Sequence, residues 1–319
     1  MRGRWDWHFG DRESLHERTD APPPARMSEH ARRIQIRRRR IAAAIVLAAA
    51  LLALVALAPG SDSHGPSGAP SSAKAPAGGH SAHPAVAHAP EESPSAAVKA
   101  VLAYTPFVKE GGDRGRDIAL TFDDGPGPYT PAVLGVLERL HVRATFFEIG
   151  EMLRYFSAST VRELRDGDVI GDHTQTHPEM ASLSAHAQHE ELFEQMLHVE
   201  LLGGPRPILF RPPYGSYDAT TIRQLRTLHL FMVLWSVDTD DYLQPGVAVI
   251  AQRALAGARP GAIILMHDAG GTRTQTIAAL PIIIHRLRAR GFHLVTVPEL
   301  LRDDPPPPGQ ALPSSLRGD

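Results

Sequence analysis

No cysteine occurs anywhere in the 319 residues. That absence removes disulfides, thiolate nucleophiles and thiolate metal ligands together, so any metal must be held by His, Asp or Glu. A strong net charge is missing too, at −2. Residues 1–40 hold eleven arginines against six acidic side chains, which leaves the rest of the chain mildly acidic. An acidic bulk argues against nucleic acid as a partner. No internal repeat is visible. What remains is a chain of ordinary globular composition, 43% hydrophobic and 21% charged, but rich in proline (28) and glycine (27).

The arginines cluster. "RRIQIRRRR" (32–40) precedes "IAAAIVLAAALLALVALA" (41–58), an uncharged run with no polar face. As a helix it would rise about 27 Å, close to the hydrocarbon thickness of a bilayer. A buried core helix is the alternative, but it would show a periodic pattern. The run is therefore expected to be a transmembrane signal anchor after a basic cytoplasmic leader (1–40, with Met27 an alternative start). Positive-inside bias places everything after Ala58 outside the plasma membrane. Ala56-Leu57-Ala58 has the small-x-small form of a cleavage site, and cleavage would make the protein secreted. Residues 59–97, dominated by Pro, Ala, Ser, Gly and His, read as a disordered linker. Its histidines (His64, His80, His83, His88) have no regular spacing and are assigned to solvent. Residues 303–319, with "PPPPG", are expected to form a disordered tail.

Residues 98–302 suit one domain. Strand patterns at Ile118–Phe122, Ala144–Ile149, Val169–Gly171, Ile208–Phe210, Phe231–Val237, Ala262–Met266 and Phe292–Val295 alternate with helical ones. The helical runs are Pro131–Leu140, Ser159–Arg165, Ser184–Leu202, Ala219–Leu228, Val247–Ala256 and Thr276–Arg290. Such alternation predicts an α/β fold with a parallel sheet, either a barrel or an open doubly wound sheet. In both, chemistry sits at the carboxyl ends of the strands. Five strand ends carry unusual polar residues: "FDDGP", "DHTQTHP", "RPPYG", "DTDDY" and "HDAGG". A common Asp-Gly surface turn would account for the first alone, and not for five on one predicted face.

His173 and His177 lie four apart between Gly171 and Pro178, which favours a turn over a helix. With a carboxylate from another strand end they make a two-histidine, one-carboxylate set of the kind that leaves coordination positions open. Thr174 stands where a zinc-protease motif would need glutamate. Adjacent Asp123 and Asp124 repel one another unless a cation is near. One can ligate it while the other stays a base, provided a chain reversal aims both at one point. Gly125-Pro126 is the expected source of that reversal.

In this order, "TFDDGP", "HTQTHP", "RPPY", "DTDDY" and "LMHD" resemble the five motifs of the polysaccharide deacetylases, the NodB-homology domain of carbohydrate esterase family 4. The resemblance covers about residues 115–300. It implies a distorted, incomplete (β/α) barrel and a hydrolase that removes N-acetyl groups from polysaccharide with a divalent cation, zinc first, cobalt or another divalent ion as alternatives. It further implies Asp123 as general base, and Asp124, His173 and His177 as metal ligands. Arg211 would orient Asp123, and the Tyr214 N–H would help bind the oxyanion. Asp241 would tune His267 as general acid, Leu265 and Tyr242 would wall the acetyl pocket, and Thr174 would fix the histidine loop. Two positions depart from the family pattern: Tyr242 stands for the usual tryptophan, and Asp172 for a frequent asparagine.

The partner this implies is an acetylated polysaccharide, peptidoglycan or chitin-type. A linker of roughly 35 residues has a coil span of about 35 Å, which keeps the domain near the membrane. Acetylated xylan, an O-ester substrate for the same machinery, is one alternative. A catalytically silent glycan-binding protein is another, although no base, ligand or acid is missing. An amidohydrolase would need an H-x-H pair on the first strand, which is absent.

Overall fold

The computed structural model describes residues 94–310. The basic leader, the expected anchor at 41–58 and most of the linker lie outside them. No helix among the described residues is long and apolar enough to cross a membrane.

Period-two alternation organises the first long strand, β2 (Asp117–Gly125), which follows α1 (Pro94–Leu102) and β1 (Phe107–Val108). Ile118, Leu120 and Phe122 belong to the layer under the helices, with Val133, Leu134 and Leu137 of α2 (Thr130–Arg139). Ala119, Thr121 and Asp123 face the other way, into the concave side of the sheet. Next come β3 (Thr145–Glu148), α3 (Gly150–Asp166) and β4 (Val169–Asp172), then α4 (Ala185–Leu201) and β5 (Leu209–Phe210). They are followed by α5 (Ala219–Leu228), β6 (Phe231–Val233), β7 (Val237–Asp238) and α6 (Val247–Gly257). The last elements are β8 (Ile263–His267), α7 (Thr274–Ala289), β9 (His293–Val295) and α8 (Val297–Asp303).

Local chemistry explains several helix limits. Ser184 caps α4 by accepting from the Ala187 N–H, and Asp218 forms a capping box with Thr221 at α5. Thr296 and Glu299 do the same at α8. Gly167 ends α3 in the left-handed conformation (φ 82).

Every strand pair is parallel, in the order β1-β6-β5-β4-β3-β2-β8-β7. β9 joins the first residues of β2, Asp117 to Ala119, ahead of the stretch that pairs with β3. The result is a curled, open sheet covered by helices, an incomplete (β/α) barrel. β1 and β7 are its edges.

Three expectations needed correction. The single strand expected at 231–237 is two. β6 lies between β1 and β5, whereas β7 lies against β8, so Leu234, Trp235 and Ser236 carry the chain from one side of the opening to the other. The helix expected at Ser159–Arg165 starts at Gly150, because a kink at Phe156 (φ -124, ψ 27) interrupts its period. The domain is also wider than 98–302. Ala97, Val98 and Val101 of α1 are buried, the last two in one cluster with Val297, Leu300 and Leu301 of α8. Past Asp303 the chain stays on the fold: buried Asp304 accepts from the Gly115 N–H (2.7 Å) and Arg114 Nε (3.1 Å). Gln310 Nε2 donates to Glu110 O (2.9 Å). Proline content foretold disorder there because composition cannot see these partners.

Candidate active site

Asp123 is the last inward residue of β2 and pairs in register with His267 of β8; Thr121 pairs likewise with Leu265. Leu265 therefore sits two residues below His267 on the same face. At Asp124 the backbone turns left-handed (φ 71) and the register with β3 slips between Asp123 and Gly125. This bulge at Asp124 itself, rather than the Gly125-Pro126 turn, brings both carboxylates to one side.

Beyond β4 the chain reverses through Thr174 (φ 70) and His177 (φ 61). Thr174 Oγ1 accepts from the His177 N–H (2.9 Å), and the Thr174 N–H donates to Asp172 Oδ1 (2.6 Å). Asp172 thus braces the histidine turn from beneath. Burial pushes its carboxyl well above the ordinary range, opposed by that N–H. His173 Nδ1 lies 2.7 Å from the Arg211 carbonyl. A carbonyl only accepts, so Nδ1 carries the proton and Nε2 presents a lone pair. His177 Nδ1 lies 3.2 Å from the Tyr214 hydroxyl, and its ring packs edge-on against the Tyr214 ring at 4.7 Å.

These constraints converge Asp124, His173 and His177, with one donor atom from each inside a 4.8 Å cluster. Asp124 Oδ1 stands 3.1 Å from His177 Nε2 and 3.6 Å from His173 Nε2. Ligands at roughly 2.1 Å from one tetrahedral ion stand about 3.4 Å apart, so the two separations bracket the requirement. Burial alone would raise the Asp124 carboxyl, but the close approach of His173 and His177 and the His177 and His267 charges hold it well below the ordinary range when no ion is bound. An ionised carboxylate with two imidazole lone pairs fits a zinc-like dication.

Arg211 is fully buried and donates through Nη1 to Asp123 Oδ1 (2.7 Å) and Thr121 Oγ1 (2.8 Å). Its Nε and Nη2 donate to the carbonyls of Val233 (3.1 Å) and Leu234 (3.2 Å). With Oδ1 so engaged, Asp123 Oδ2 stands 3.8 Å from His173 Nε2. Across the strand pair, His267 Nδ1 meets Asp241 Oδ1 at 2.7 Å and its backbone N–H donates to Asp241 Oδ2 (2.9 Å). Burial lowers the His267 pKa, but the Asp241 charge and hydrogen bond outweigh it, with help from Asp124 and Asp123, and raise it to about 9. The Tyr242 ring stands edge-on at 5.5 Å from the His267 ring. Tyr214 and Tyr242 are exposed at the lip, 52% and 40%, while Leu265 is buried. All eleven side chains marked in the sequence gather at the carboxyl ends of neighbouring strands.

Asp268 stood in the "HDAGG" strand end without an assigned role, and two further carboxyls, Glu148 and Glu163, escaped that reading. Asp268, Glu148 and Glu163 are fully buried behind the site. Glu148 ends a strand directly after the apolar pair Phe146-Phe147, a signal comparable to "FDDGP". Glu163 lies mid-helix and offers none. Burial lifts Asp268 to about 8 and Glu148 to about 7. It lifts Glu163 well above its ordinary value, with the Glu148 charge adding to the effect. These groups and His267 hold protons that the unfolded chain has already released. Stability of the metal-free protein is therefore expected to fall as pH rises from the ordinary carboxylate range to about 9. Urea unfolding of chelator-treated protein across that window checks this, and a stability that rises with pH there would contradict it.

A polysaccharide deacetylase family model matches residues 110–233. Over 196 residues the chain is 37% identical to a peptidoglycan-N-acetylglucosamine deacetylase of Bacillus cereus, covering 58% of this chain and 88% of that protein. This chain belongs to the polysaccharide deacetylase family. A second relative, a chitooligosaccharide deacetylase of Rhizobium leguminosarum bv. trifolii, is 34% identical over 63% of this chain and 99% of its own length. Among solved structures, the Bc1960 peptidoglycan N-acetylglucosamine deacetylase in complex with 4-naphthalen-1-yl-N-oxidanyl-benzamide superposes with a TM-score of 0.60. It is 32% identical and covers 63% of this chain and 95% of its own. Of the two departures from the family pattern, Asp172 has a structural part here, since it accepts the N–H that forms the histidine turn. Tyr242 keeps an aromatic side chain beside His267, with its hydroxyl 3.4 Å from Asp240 Oδ1.

Proposed function

We propose that this deacetylase hydrolyses the N-acetyl groups of a GlcNAc-containing polysaccharide, peptidoglycan or chitin-type, outside the membrane. One observation carries the reading: Asp124, His173 and His177 offer three converging donor atoms, and the Arg211-held Asp123 borders them. An amide carbonyl is a poor electrophile and water a poor nucleophile. A dication held by those three residues would polarise the first and acidify the second.

The chain's own groups supply the rest. Asp123 accepts the proton of the attacking water, with Arg211 fixing the carboxylate so that Oδ2 faces the reaction. The Tyr214 N–H, set by a left-handed backbone (φ 56) after Pro213, donates to the developing oxyanion, a contribution of roughly 3 kcal/mol. His267, kept protonated by Asp241, gives its proton to the leaving amine. Leu265 and Tyr242 enclose the acetyl methyl. Acetate and a glucosamine unit leave. The names of the relatives support an N-acetylglucosamine substrate, and the basic-then-apolar N-terminal segment supports the extracytoplasmic placement.

The full chain is expected to release acetate from chitooligosaccharide or peptidoglycan, to stop when chelated, and to recover with added zinc or cobalt. Acetylated xylan is the control for O-ester preference. Turnover that survives chelation, or none on any N-acetylated glycan with metal restored, would overturn the proposal.

A further inference from the structure

Behind the His267–Asp241 pair lies a buried cation with no part in the chemistry above. Arg273, just ahead of α7, is 1% exposed. Its guanidinium donates to backbone alone: Nε to Ala269 O (2.6 Å), Nη2 to Gly270 O (2.9 Å) and Nη1 to Asp241 O (3.5 Å). Among the described residues it makes no ion pair, in contrast to Arg211. Its hydrogen bonds all go to carbonyls, and the Asp241 carboxylate acts on its charge only from beyond ion-pair distance; a charge buried in this way is costly, so its position calls for a gain elsewhere.

The three carbonyls belong to two loops that border the site from different sides. Gly270 (φ 71) lies hard against the metal-set carboxylate, since a Cβ there would fall 2.2 Å from Asp124 Oδ2. Gly271 (φ 138) follows, and a Cβ on it would fall 3.2 Å from Arg273 Nη2. The third carbonyl opens the turn Asp241–Leu243, which carries the partner of His267 and the Tyr242 ring. Thr276, on the first turn of α7, donates to Asp241 Oδ2 (2.6 Å) and holds the same carboxylate from the same helix end. Lysine at position 273 could keep the charge, but its point-like ammonium cannot bridge two loops as a planar fork does.

We propose that Arg273 is a positioning residue of the deacetylase: its fork ties the loop beneath Asp124 to the turn bearing Asp241, and so sets the spacing between the metal side of the site and the His267 side. Arg273 touches neither substrate nor metal. The inference rests on the proposed hydrolase chemistry, so its test includes a measurement that needs no turnover.

In the full chain loaded with zinc, Arg273→Lys is expected to lower kcat roughly 10- to 100-fold with KM within about twofold, because a displacement of about 1 Å between reacting groups costs up to ~100-fold. In the metal-free, histidine-labelled chain, the short bond to Asp241 should place the His267 Nδ1–H proton far downfield. The same substitution should move that resonance upfield. An unmoved resonance, or a raised KM with unchanged kcat, overturns the proposal. If the wild type releases no acetate, the hydrolase reading fails, and the resonance alone supports or overturns the positioning. Should the variant not fold, exchange of the wild-type Arg273 Nε–H decides: much slower than at surface arginines supports the clasp, and equally fast overturns it.

Discussion

Asp123→Asn is expected to cut acetate release by roughly 10²- to 10⁴-fold, the range typical of a lost general base, while zinc stays bound. The substitution is nearly isosteric. The amide oxygen can still accept from Arg211 Nη1, now 2.7 Å from Asp123 Oδ1, so the side chain keeps its place. What disappears is the basic lone pair of Oδ2, which faces the reaction centre 3.8 Å from His173 Nε2. Asp124, His173 and His177 are untouched, so metal content measured on the purified variant should match the wild type. Free-amine labelling of the glycan product and acetate quantification give the rate. A variant that keeps within tenfold of wild-type turnover with metal bound would remove Asp123 from the chemistry.

Arg211→Met should have the largest effect on stability. The guanidinium is buried with Asp123, at side-chain exposures of 0% and 5%, so solvent screening is slight. Burial lowers the Arg211 pKa, and the Asp123 charge opposes that shift. Removing one member of such a pair leaves an uncompensated buried charge and costs about 3–5 kcal/mol. Three further acceptors, Thr121 Oγ1 and the carbonyls of Val233 and Leu234, lose their donor in the same step. Urea unfolding should show a lower midpoint at an unchanged slope. In the Asp123→Asn background the same substitution should cost less, since the orphaned charge is gone. A loss under about 1 kcal/mol in the wild-type background would mean the pair is far more solvated than its burial indicates.

The two substitutions probe different kinds of legibility. Asp123, Asp124, His173 and His177 stood out in the bare chain because each breaks a local rule: charges at the lip of an apolar strand, histidines four apart between Gly171 and Pro178. The β/α alternation was readable for the same reason, since period two and period 3.6 are local properties. Elements lacking a local period were not readable. The first turn of α3 takes its form from Thr174 and Gln175, the break between β6 and β7 from Val108 and Ile263, and the stretch from Asp304 to Gln310 from Gly115 and Glu110.

Side-chain chemistry divides along the same line. Residue order alone determined which groups could ligate a cation, accept a proton or donate one, because those capacities belong to residue types. Only the folded chain decided that Asp124 turns back at a bulge, that Asp172 braces the histidine turn, that His267 is held near pH 9, and that Arg273 clasps two loops. Each of these depends on burial and on neighbours remote in the chain, and both are set by how the sheet curls.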